Sequence, residues 1–148
     1  MNNKILGKEG EELAARYLET EGYEIIETNF NCGFGEIDII AKKENELAFV
    51  EVKTRTQTFF GMPVDSVNVP KQRHIYKTAE YYIYKTNAYN YEVSFDVIEV
   101  YKYENQTIRI EKIKNAIIEN PRYTFGRIKW VLKYFIKRMN VSQKLFWN

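Results

Sequence analysis

Apolar residues fall along this chain in two rhythms. Over residues 10–20 they recur at helical spacing, with Ala14, Ala15, Tyr17 and Leu18 on the inner side, and Gly22 closes the segment. Residues 23–28 read as a short strand. Residues 34–42 and 46–54 are stronger strands, dense in Ile, Val and Phe. Residues 55–69 form a loop with Gly61 and Pro63, and Pro70 follows it. Residues 71–85 return to helical spacing. Residues 91–101 and 107–113 are two more strands around Glu104-Asn105, and a last helix spans roughly 125–139. The order α-β-β-β-α-β-β, then a basic helix, predicts an α/β fold: a mixed β-sheet flanked by helices. No linker divides residues 1–118, which are expected to form one domain. Residues 119–148 are expected to be a basic amphipathic helical extension.

The polar exceptions inside the two strongest strands point to chemistry. Alternation places Glu36, Asp38 and Ile40 on one face of their strand. It places Leu47, Phe49, Glu51 and Lys53 on one face of the next. If Glu44-Asn45 are the two residues of a hairpin turn, paired positions sum to 89 and Asp38 lies opposite Glu51. A slip of one residue would separate them. Two opposed carboxylates repel, a poor choice for stability alone. They suit Mg²⁺ or Mn²⁺, which take oxygen ligands and keep places for water and phosphate. Lys53, on the same face, can contact a scissile phosphate or position the attacking water. The backbone carbonyl of Val52 can add a ligand. Glu11 falls on the inner stripe of the first helix and is a third candidate carboxylate.

The second helix opens Lys71-Gln72-Arg73-His74. Cations in a first turn oppose the helix dipole, so an anionic partner would explain them. Gln72 and Tyr76 share a face with Ile75, Ala79 and Ile83. Lys71, Gln72, Arg73, Tyr76 and Arg55 are the candidate nucleic-acid contacts. His74, the one histidine, is expected at the surface.

Composition narrows the class. At 148 residues the chain can bury a real core. Its single cysteine, Cys32, excludes an intrachain disulfide and a cysteine metal cluster. No run reaches a membrane span and no signal peptide is visible, so the cytoplasm is the expected location. Charge is uneven: residues 1–118 carry 15 Lys+Arg against 19 Asp+Glu, net −4, whereas residues 119–148 carry 7 against 1, net +6.

Taken together, these residues resemble the YraN family of bacterial endonuclease-like proteins. The likeness covers about residues 4–117. It runs through Gly10-Glu11, Ala15-Arg16-Tyr17-Leu18, Gly22-Tyr23, Asn29 and Gly35-Glu36-Ile37-Asp38. It continues through Phe49-Val50-Glu51-Val52-Lys53-Thr54-Arg55, Gly61-x-Pro63, Lys71-Gln72-Arg73, Phe95-Asp96-Val97 and Asn115-Ala116. That family looks like part of the restriction-endonuclease-like, or PD-(D/E)xK, superfamily, and archaeal Holliday-junction resolvases are similar in layout. The resemblance implies a restriction-endonuclease-like fold, metal ligation by Asp38 and Glu51, Lys53 as catalytic lysine and Glu11 as accessory ligand. Gln72 with Tyr76 matches a Gln-x-x-x-Tyr pattern of some nucleases in that superfamily. Ile37 stands where the superfamily label has Pro, and the arm beyond residue 118 is outside the family pattern.

The expected activity is therefore Mg²⁺- or Mn²⁺-dependent hydrolysis of DNA, on branched or structured forms. The alternative is a non-catalytic nucleic-acid-binding or assembly protein on the same scaffold. A homodimer fits a substrate with two equivalent strands. In the arm, Ile128, Val131, Leu132, Phe135, Ile136 and Met139 form one apolar stripe flanked by Arg127, Lys129, Lys133, Lys137 and Arg138. Docking on the body or across a dimer, binding of nucleic-acid backbone, and peripheral membrane contact all fit such a helix.

Overall fold

The computed structural model describes residues 3–57, 69–106 and 108–117. The predicted helix over 125–139, the basic extension, residues 58–68 of the predicted loop and the start of the last predicted strand lie outside them. The elements are α1 (Asn3–Thr20), β1 (Glu24–Cys32), β2 (Gly35–Lys43), β3 (Glu46–Gln57), α2 (Val69–Thr86), β4 (Glu92–Tyr103) and β5 (Ile108–Ile113). This is the predicted order. The strands form one mixed sheet, β1-β2-β3-β4-β5. Its neighbours are antiparallel except β3 and β4, which run parallel. A parallel pair needs a crossover, and α2 lies within it.

Each face of the sheet carries a helix. Ala14 and Leu18 of α1 pack with Ile39, Ala41, Ala48, Val50, Ile98 and Val100. On the other face α2 brings aromatic rings together: Tyr76 lies 4.5 Å from Phe95 and Tyr82 lies 5.8 Å from Phe49, centroid to centroid. Cover on both sides explains why β4 is buried without alternation from Val93 to Val100. The buried charge of Asp96 is used structurally. Its Oδ1 accepts the Asn115 N–H at 2.9 Å, while Asn115 Oδ1 accepts the Phe95 N–H at 3.3 Å. The two bonds tie the turn after β5 to β4.

The hairpin register is the predicted one. Pairing runs from Lys43↔Glu46 to Ile39↔Val50 about Glu44-Asn45, with Glu44 at φ 52°. Boundaries differ where local signals mislead. β1 extends to Cys32 although Asn29 (φ 53°) interrupts its apolar pattern. It is an edge strand with mostly exposed side chains, so no alternation marks it. β3 runs on to Gln57, claiming residues 55–57 from the predicted loop by pairing with β4 as far as Tyr103.

α1 starts at Asn3 rather than residue 10 because Gly7 and Gly10 read as punctuation but do not break it. Gly10 serves close approach: a Cβ there would stand 1.7 Å from Thr54 Oγ1. Gly10→Ala is therefore expected to destabilise the fold by about 1–3 kcal/mol through overpacking, despite alanine's higher helix propensity. Urea unfolding checks this, and adding Thr54→Ala should recover part of the loss.

Candidate active site

One step beyond the Ile39↔Val50 pair, Asp38 and Glu51 come together on the α2 side of the sheet. The two carboxylates turn to different partners. Asp38 Oδ2 accepts the backbone N–H of Val52 at 2.7 Å. Glu51, only 5% exposed, is ion-paired through Oε1 with the Lys71 ammonium from the first turn of α2. Burial disfavours the charged form of Asp38 and, with the neighbouring Glu51 carboxylate, pushes its pKa up to about 7. The Val52 N–H and Lys71 pull the other way, and Glu11 adds to the rise.

An open cleft of roughly 440 Å³ forms over this pair, lined by Gly35, Glu36, Asp38, Glu51, Pro70, Lys71, His74 and Ile75. The start of β2 comes close to α2 because position 35 is glycine. Its φ is 151°, and a Cβ would press to 3.2 Å from both His74 Cβ and Thr78 Oγ1. His74 Nδ1 lies 2.8 Å from the Phe34 carbonyl oxygen, joining the same two elements. His74 is exposed, as expected, yet it also lines the cleft. Its spacing of three from Lys71 on a helix was the available signal.

The other candidates occupy distinct places. Glu11, on α1, accepts a bond from Asn29 Nδ2 at 3.0 Å and reaches Asp38 electrostatically rather than by contact with the cleft. Lys53 is half-buried and two residues beyond Glu51 on the same face. The Val52 side chain packs toward the α1 core. Arg55 Nη2 stands 3.5 Å from Glu99 Oε1. Gln72 is buried at 7% exposure, and Arg73 is exposed. Tyr76 is a core residue whose hydroxyl donates to the Ile117 carbonyl at 2.8 Å.

Sequence reasoning missed Glu99. It is fully buried, pairs in register with Lys53, and takes a hydrogen bond from the Tyr101 hydroxyl. The signal was its phase: Phe95, Val97 and Glu99 alternate onto the face that carries Glu51 and Lys53.

Among the described residues no three His, Cys, Asp or Glu side chains converge as a ready metal cluster. The donor set is two carboxylates at an open cleft, one of them already holding a cation in the form of Lys71. That set fits a hard divalent ion, which binds through one or two carboxylates and fills its remaining places with water and phosphate oxygens.

Comparison with known proteins identifies the family. Residues 10–100 match the group described as "Uncharacterised protein family UPF0102". The chain belongs to the UPF0102 family, the YraN family that its motifs resemble. A UPF0102 protein of Caldicellulosiruptor saccharolyticus is 47% identical over 117 residues, covering 78% of this chain and 99% of that relative. One from Caldanaerobacter subterraneus subsp. tengcongensis is 44% identical over 117 residues, covering 79% and 95%. One from Clostridium perfringens is 51% identical over 98 residues, covering 66% and 80%. The UPF0102 match contains every residue of the cleft and ends before the basic extension. No helix among the described residues is long and apolar enough to cross a membrane.

Proposed function

We propose that this UPF0102 protein is a Mg²⁺- or Mn²⁺-dependent nuclease that hydrolyses DNA phosphodiester bonds, with branched or structured DNA as its substrate. The observation that carries the reading is the Asp38–Glu51 pair. Two carboxylates are held together in a half-buried, solvent-open cleft, where they cost stability and a cation would repay it. A bound divalent ion supplies polarisation of the phosphate and lowers the pKa of a water. Asp38 and Glu51 hold that ion, and Glu11 assists through the field it already exerts on Asp38. Lys53 orients the nucleophile or offsets charge developing on the phosphate. Lys71, released from Glu51, is placed to meet the substrate's phosphate, and Arg73 lies exposed on the same helix.

Linear, single-stranded, flapped and four-way-junction DNA incubated with Mg²⁺ or Mn²⁺ tests the proposal. Wild type should cut at least one of these, and Asp38→Ala and Lys53→Ala should cut it far more slowly. Absence of cutting on every substrate with both metals, or equal cutting by the variants, rules the nuclease out. The protein would then be read as a binding or assembly module.

A further inference from the structure

α2 carries a feature that the Asp38–Glu51 cleft does not use. Beyond the cleft residue Lys71, its sequence holds Arg73, Lys77 and Lys85 against one acid, Glu80, within a body of net charge −4. Arg73, Lys77, Tyr81, Tyr84 and Lys85 are all exposed and fall within an arc of about 120° on the helix. Phe34, Tyr81 and Tyr84 are 49%, 38% and 53% exposed. Phe34 stands 6.3 Å from Tyr81, which stacks at 6.4 Å on the buried Phe30, and Lys85 Nζ lies 5.8 Å from the Phe30 ring. Single exposed aromatics are ordinary; neighbouring rings interleaved with cations form a patch that calls for a ligand. Phe34 directly precedes Gly35 of the cleft, and its carbonyl is bonded to cleft residue His74. The ridge then follows α2 from Arg73 to Lys85, about 18 Å at helical rise.

We propose that this ridge is a binding surface for an unpaired DNA strand, with bases stacked on Phe34, Tyr81 and Tyr84 and phosphates on Arg73, Lys77 and Lys85. Alternating rings and cations match the two surfaces that a single strand offers and a duplex does not, since base faces in a duplex are already stacked. A second copy of this chain is a worse occupant. A two-fold interface would set the same cationic stripe against itself. The surface stands on its own geometry; only the direction of the strand, into the Asp38–Glu51 cleft, rests on the nuclease reading. On that reading it selects substrates that present single-stranded DNA beside the bond cut.

Fluorescence anisotropy of the full chain in EDTA tests binding whether or not the protein cuts. Wild type should bind labelled oligo(dT) more tightly than a duplex of equal length, and more weakly as salt rises. Phe34→Leu and Tyr81→Leu should each weaken oligo(dT) binding about tenfold, the loss of one stacked ring. Phe34→Trp should retain it, and duplex binding should change less than twofold. Thermal melting of each variant confirms that the fold is intact. Duplex bound as tightly as oligo(dT), or leucine variants that bind like wild type, overturns the proposal. So does a dimer that the leucine substitutions disperse without touching DNA affinity. Binding that follows the prediction, in a protein that cuts nothing, would leave this surface standing and remove the nuclease.

Discussion

Asp38→Asn is expected to stabilise the metal-free protein at pH 8 while abolishing its response to Mn²⁺. Burial and the Glu51 carboxylate raise the Asp38 pKa from an ordinary 3.8 to about 7. Between those values the folded chain holds a proton that the unfolded chain has lost. The contribution of Asp38 to stability is therefore most favourable below about pH 4 and is lost as pH rises through about 7. The full penalty at pH 8 is on the order of 4 kcal/mol before relaxation and water entry reduce it. Asparagine removes the charge but keeps an oxygen for the Val52 N–H. Urea unfolding at pH 5 and pH 8 should show curves that lie closer at the lower pH and separate further at the higher, with the variant more stable. Mn²⁺ should stabilise wild type by an amount that rises with the logarithm of its concentration once the site fills, and leave the variant unmoved. A variant less stable than wild type at pH 8 would mean that Asp38 is a structural anion, not a strained ligand.

Lys53→Ala should lower cleavage about 10²–10³-fold while leaving metal uptake intact. Lys53 lies on the face of Glu51, two residues along the strand, and its register partner is the fully buried Glu99. On the nuclease proposal this ammonium would act on the phosphate or the nucleophile, and removing one preorganised charge from a transition state costs about that much. Single-turnover cleavage beside Mn²⁺ binding separates the two roles. Loss of both together would make Lys53 part of the scaffold that holds Glu51.

The central hairpin is legible in the sequence because two signals agree. Apolar alternation decides which residues share a face, and a two-residue turn at Glu44-Asn45 sets the register as far as Ile39↔Val50, beyond which Asp38 and Glu51 line one cleft. What is not legible depends on tertiary approach. Nothing local says that Lys71 pairs with Glu51, that Glu11 bonds Asn29, or that His74 meets the Phe34 carbonyl. Each joins elements that α2 or α1 brings together across the sheet. Tyr76 shows the converse. Its spacing after Gln72 matches a nuclease pattern, yet its ring packs on Phe95 and its hydroxyl holds the Ile117 carbonyl. Helical phase assigns a face; it does not say whether the face meets solvent or core.

The measurement that bears most directly on the Asp38–Glu51 pair is calorimetric titration of Mn²⁺ at pH 7 into wild type and Asp38→Asn, in two buffers of different ionisation enthalpy. Wild type should take up Mn²⁺ at this pair and release roughly half a proton per ion, because Asp38 is near its midpoint there. The variant should bind no ion at that site and release no proton. Uptake that is identical in the two proteins, or absent from both, would contradict a metal centre built on Asp38 and Glu51.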